Sequence, residues 1–125
     1  MLGMSTAVRI YLAAKPADMR RGIDGLSELV RRQFREDVFS GHLFVFLSRR
    51  RDRLKILWWD HGGFVVAYKR LEKSRFRRPH PDAHGNVVLS PAELQALLEG
   101  IDLSKARRSN FWRPRSNLID TCARV

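Results

Sequence analysis

Apolar and polar positions along this chain follow two different periods. From Leu43 to Pro79 three apolar runs of strand length succeed one another: Leu43–Leu47, Leu54–Trp59 and Phe64–Tyr68. In the first, Leu43, Val45 and Leu47 alternate with Phe44 and Phe46, so both faces are apolar, which is the pattern of a covered strand. In the second, Leu54, Ile56 and Trp58 alternate with Lys55, Leu57 and Trp59. The third sets Phe64, Val66 and Tyr68 against Val65, Ala67 and Lys69. Short polar breaks separate the runs, and short connections predict an antiparallel meander. The second break, Asp60-His61-Gly62-Gly63, carries the glycines that a tight turn with positive φ requires.

The flanks complete the picture. Ala7–Ala14 reads as a further strand, broken by Lys15-Pro16-Ala17-Asp18. From Met19 to Phe34, Met19, Ile23, Leu26, Val30 and Phe34 recur at steps of three and four, the face of a helix. Asp18 is placed to cap it. Gly22 and Gly25 disfavour a helix interior. They suit instead a close backbone approach, or a short turn before a helix that starts near Ile23. Beyond a loop-rich link, Asn86–Leu89 predicts a short strand. Ser90-Pro91-Ala92-Glu93 then combines a cap, a proline at the first helical position and a reciprocal glutamate. Leu94, Leu97, Leu98 and Ile101 give this helix its apolar face, and Gly100 its stop. The expected fold class is therefore α+β: one domain over residues 1–103, an antiparallel meander of about four or five strands with two helices packed against it. Residues 104–125 have no clear period and are expected to form a mobile basic tail.

Charge changes the emphasis. The 125 residues carry a formal charge of +11, and the sequence pI is about 11.2. Residues 41–79 hold 11 basic against 3 acidic side chains, so the field is centred on the predicted meander. A chain this basic attracts polyanions, nucleic acid first among them. The single cysteine, Cys122, excludes an internal disulfide framework. No apolar run reaches membrane-spanning length and no secretory leader is evident, so a cytoplasmic location is expected.

The first break of the meander, Arg49-Arg50-Arg51-Asp52-Arg53, and the segment that follows the third run supply the sharpest candidate chemistry. A guanidinium fork matches phosphate oxygens, and a hairpin tip gathers several forks in a small volume. The candidate nucleic-acid contacts are Arg49, Arg50, Arg51, Arg53 and Lys55, then Lys69, Arg70, Lys73, Arg75, Arg77 and Arg78. They would hold phosphates rather than read bases, since no recognition helix is evident. Trp58, Trp59, Tyr68 and Phe76 lie beside them as candidate stacking surfaces, although strand aromatics are more often core. No catalytic set emerges. Asp18, Asp24, Asp52 and Asp60 stand in no motif that implies convergence, and Asp52 lies among arginines that would pair with it. His42, His61, His80 and His84 fall in loops or turns, and the His80/His84 pair is a poor metal site beside Pro81. No cofactor or metal is expected, and the chain is read as a non-enzyme.

Several blocks also carry a resemblance. They are Asp18-Met19-Arg20-Arg21-Gly22-Ile23-Asp24-Gly25-Leu26, Phe39–Phe46, Arg51–Asp60 and Tyr68-Lys69-Arg70-Leu71-Glu72. In order and spacing they resemble the small accessory protein, the second open reading frame product, of IS-sixty-six-class bacterial insertion sequences. That protein is also called TnpB and is distinct from the RNA-guided nuclease of the same name. The resemblance spans roughly Val8 to Asp102. It implies a role in DNA transposition beside a separate, larger transposase that carries the catalytic carboxylates. Asp18, Arg20 and Gly22 would be its signature; a capped helix entry accounts for Asp18 and Gly22, and Arg20 joins the candidate phosphate contacts. The expected partners are DNA, at the element ends, and the transposase, with no membrane and with a homo-oligomer left open. The rival readings are an adaptor docked on the transposase and a metal-dependent nuclease.

Overall fold

The computed structural model describes residues 7–79 and 85–101. Five strands and two helices follow one another: β1 (Ile10–Leu12), α1 (Ile23–Leu29) extended by a π-helical turn (Val30–Phe34), β2 (Leu43–Leu47), β3 (Arg53–Asp60), β4 (Gly63–Arg70), β5 (Val87–Leu89) and α2 (Pro91–Glu99). The strands form one sheet in the order β4-β3-β2-β1-β5. The fold class is α+β and the sheet mostly antiparallel, as the hydropathy pattern predicts, with β2, β3 and β4 forming the meander. One pairing differs: β1 lies parallel to β2, Ile10 opposite Leu43. The reason is the connection. The chain between them forms a helical crossover, which returns the second strand in the direction of the first. β5 then pairs antiparallel with the other side of β1.

The two faces of the sheet are both covered, as the doubly apolar β2 requires. On one side Leu43, Val45 and Leu47 meet Ile10, Leu12, Leu54 and Ile56, with Leu94 and Leu97 of α2 above them. On the other, Phe44, Phe46 and Leu57 pack with Leu26, Leu29 and Val30. Each such fully buried side chain contributes about 1.5–3 kcal/mol relative to exposure. The widened turn after α1 brings Phe34 to Tyr11, Phe44 and Phe46 at centroid distances of 5.8, 5.3 and 5.9 Å. It ends at Arg35, which takes the left-handed conformation with φ 54°.

Element termini follow their local chemistry in two places and depart from it in a third. α2 has the full capping box: Ser90 Oγ accepts from the Glu93 amide, and Glu93 Oε1 accepts from the Ser90 amide. Gly100, at φ 76°, ends it in the left-handed conformation. The β3–β4 hairpin closes through His61 and Gly62, at φ 32° and 91°, between the facing pair Asp60 and Gly63. Two central residues of positive φ are the signature of the type I′ turn whose twist matches the strands. Asp18, by contrast, does not cap α1. The helix starts at Ile23 with no side-chain cap, and Asp18 Oδ1 instead accepts from the Arg20 amide at 2.9 Å. This is the short opening turn that the glycines allow. Gly25 admits the Arg21 side chain rather than another backbone: a Cβ at this position would lie 3.0 Å from Arg21 Cβ. The His80/His84 pair and the 104–125 tail lie outside the described residues. Among the described residues, no helix is long and apolar enough to cross a membrane.

Candidate nucleic-acid interface

The arginine-rich turn between β2 and β3 is braced from within and from without. Arg51 N donates to the Ser48 carbonyl and Arg53 N to Ser48 Oγ, at 3.0 and 3.1 Å. The Ser48 hydroxyl donates in turn to Asp52 Oδ1 at 3.1 Å. From outside, the segment after β4 docks on the same turn. Leu71 N donates to the Asp52 carbonyl at 2.7 Å and Phe76 N to the Arg51 carbonyl at 2.6 Å. Phe76 is fully buried in the α2-side core, and its anchorage holds that segment down. It is therefore no stacking surface, contrary to its reading as a candidate. Arg51 itself sits at φ 61°, a conformation that disfavours a side chain and that the surrounding hydrogen bonds enforce.

On this scaffold Arg49, Arg50, Arg51 and Arg53 are all exposed. Asp52 does not neutralise them. The expected pairing of Asp52 with its neighbours is absent, because its carboxylate is turned to the Ser48 hydroxyl. Among the described residues none of the four arginines forms an ion pair. Arg53 also stands directly opposite Arg70 across the β3–β4 ladder. Like charges so placed repel. Arg70 is partly relieved by Glu72, at 3.0 Å, in a pair exposed on both sides.

The other candidates are distributed more widely than the sequence suggests. Lys55 shares the α1 side of the sheet with Arg53; its Nζ donates to the Arg21 carbonyl at 2.8 Å and lies 5.2 Å from the Tyr68 ring centroid. Arg20 projects from the turn before α1, 92% exposed, and holds Asp18 at 2.8 Å. That charge-assisted hydrogen bond lowers the Asp18 pKa to about 2. Lys69 alternates to the opposite side, where its Nζ donates to the Leu98 carbonyl at 2.7 Å, a cation at the negative end of α2. Lys73, Arg75 and Arg77 are exposed along the docked segment. Arg78 is half-buried and donates through Nη1 to the Ala13 carbonyl at 2.7 Å. The twelve cations thus do not share one face. The turn arginines, Arg53, Lys55 and Arg70 form the coherent part.

Two features escape a reading of the sequence. Lys15, in the break after β1, reaches the arginine turn because β1 and β2 run parallel; no local signal announces that. Phe39, in a loop, is 56% exposed and meets Trp59 and Phe64 at centroid distances of 5.0 and 5.4 Å. Trp58 points the other way and packs against the α2-side core. Among the described residues, no three His, Cys, Asp or Glu side chains are grouped to hold a metal ion.

Comparison with known proteins gives a consistent result. The family model described as IS66 Orf2 like protein matches residues 8–108. Two proteins of Sinorhizobium fredii (strain NBRC 101917 / NGR234) are similar along nearly their whole length. The one named Uncharacterized protein y4jC is 38% identical over 114 residues, covering 91% of this chain and 97% of its own. Uncharacterized protein y4hO is 36% identical over 114 residues, covering 91% and 96%. No solved structure matches.

Proposed function

The chain belongs to the IS66 Orf2 like family, a transposition-associated accessory family, and from that premise we propose that it is a non-enzymatic accessory protein that grips DNA by its phosphates. What supports this most is the β2–β3 turn. Four exposed arginines, without ion pairs among the described residues, stand on a turn fixed by six hydrogen bonds, and one of them faces a fifth arginine across the ladder. Clustered like charge costs stability, and a polyanion offsets that cost. Lys55, Lys73, Arg75 and Arg20 extend the positive surface around it. The contacts are to backbone phosphates, so they confer affinity and position rather than sequence preference.

A salt series tests the reading. With four phosphates neutralised, the logarithm of the binding constant for duplex DNA falls with log[salt] at a slope of about −3.6. Each of Arg49→Ala, Arg50→Ala and Arg51→Ala reduces that slope by about 1. Absence of any shift at low salt would sink the DNA reading and favour the adaptor, for which the exposed Phe39, Trp59 and Phe64 group is the supporting observation: aromatic side chains are enriched where proteins meet proteins.

A further inference from the structure

A cleft of about 90 Å³ opens at the carboxyl ends of the parallel strands β1 and β2. It is several times the roughly 10–15 Å³ that a single water needs. Four cations line it, Lys15, Arg49, Arg51 and Arg78, and among the described residues no carboxylate does. Several of its backbone donors are engaged within the fold: the Ala13 amide donates to the Val45 carbonyl and the Ala14 amide to Asn86 Oδ1, both at 2.9 Å, and the Ser48 and Arg51 amides donate to the Arg53 and Ser48 carbonyls, both at 3.0 Å. The charged donors are the side chains. Arg78 is the fixed member. Its Nη1 is held by the Ala13 carbonyl, while Nη2 is shut off from solvent and has no hydrogen-bond partner. Burial lowers the Arg78 pKa, the mark of a cation short of compensation. Nη2 is thus a buried donor without a partner on a half-buried guanidinium, a costly arrangement that an anion in the cleft would relieve.

We propose that this cleft seats a single phosphate group of the bound nucleic acid, Arg78 supplying the fixed donors and Lys15, Arg49 and Arg51 closing over the oxygens. The seat rests on the DNA reading above and sharpens it, from a diffuse cationic surface to one enclosed contact point. A guanidinium fork matches the planar spacing of two phosphate oxygens, and enclosure strengthens the charge-assisted bonds. Since Nη2 has no accessible surface of its own, an oxygen reaches it as the rim side chains give way. Lys15, Arg49 and Arg51 are long, exposed and able to do so.

The experiment follows backbone and arginine side-chain NMR signals as inorganic phosphate is added at constant ionic strength, with acetate as the control anion. Phosphate is expected to shift Ala13, Lys15, Ser48 and the Arg78 side chain in a saturable way, and acetate to leave them unmoved. Arg78→Lys, which keeps the charge and loses the fork, weakens this binding at least tenfold. Because Arg78 also holds Ala13, Lys15→Ala on the exposed rim serves as the second variant, expected to weaken phosphate binding severalfold with an unchanged spectrum elsewhere. Equal shifts by acetate, or phosphate binding indifferent to both variants, would overturn the seat. If DNA binds with the salt slope given above and neither variant alters its affinity, the seat falls and the DNA reading stands. If phosphate saturates the cleft and DNA does not bind at low salt, the seat stands as an anion site and its nucleic-acid source falls. A 5′-phosphorylated oligonucleotide that outcompetes its unphosphorylated twin identifies a strand end as the occupant; equal competition identifies an internal phosphodiester.

Discussion

Asp18 and Arg20, two residues apart in the turn before α1, form an exposed ion pair at 2.8 Å. In sequence Asp18 precedes a helical period, and a carboxylate there looks like a cap. In the fold its oxygens hold the backbone and guanidinium of Arg20, two residues on, and the helix begins later. The sign of the pH effect follows from that bond. A carboxyl held at about 2, below its ordinary 3.8, contributes to stability above the ordinary range and loses that contribution as the pH falls toward 2. The group is fully exposed, so water screens the pair and the effect on global stability is small. An NMR titration of the Asp18 carboxyl should give a midpoint of about 2, and Arg20→Ala should raise it toward the ordinary value. A midpoint unmoved by that substitution would remove Arg20 as the cause. The same pairing qualifies Arg20 as a phosphate contact on the proposed DNA reading, since a phosphate would compete with Asp18 for it.

Among elements, the segment after β4 is the least regular and carries an unexpected structural burden. Phe76 anchors it in the α2-side core, and its amide and that of Leu71 fix the arginine turn. Truncating Phe76→Ala should lower the unfolding free energy by about 3–5 kcal/mol, the usual cost of emptying a buried aromatic site. Ser90→Ala, which removes the α2 cap, should cost only about 1 kcal/mol. Urea unfolding of the two variants ranks them; a near-neutral Phe76→Ala would mean the segment is not held as described. These cases also mark what a sequence can disclose. The covered strand β2, the tight turn between β3 and β4 and the capped α2 were legible because their determinants are local: alternation, the glycine at Gly62, four residues of a box; that His61 rather than Gly63 takes the other positive φ was not. The parallel partner of β1 was not, because side-chain alternation is the same whichever way a neighbour runs. Phe76 sits among arginines in a stretch with no period, so nothing local separates a core anchor from an exposed ring.

For the whole molecule, direction decides which cations act together. Lys69 and Arg70 are adjacent in sequence and emerge on opposite sides of the sheet, Lys69 bound to α2 and Arg70 facing Arg53. Density of charge in the sequence is a poor guide to which cations share a side of the sheet. Lys15 joins the cluster only through the β1–β2 pairing, and the Phe39 group only through the meeting of a loop with β3 and β4.

On the proposed DNA reading the braced turn has a last consequence, for the duplex rather than the protein. Cations on a mobile loop adapt to whatever helix they meet. A backbone pinned at Ser48, Asp52, Leu71 and Phe76 fixes where the arginine side chains start, so beyond the reach of those side chains a duplex that docks on them must do the accommodating. The energy of bending then enters the affinity, and it differs from one sequence to another even where no base is touched. Duplexes of equal length and charge should accordingly rank by pliancy, those with central TA or CA steps binding more tightly than stiff A-tracts. Competition gel shifts would read that order, and its absence would show that the turn yields instead of the DNA.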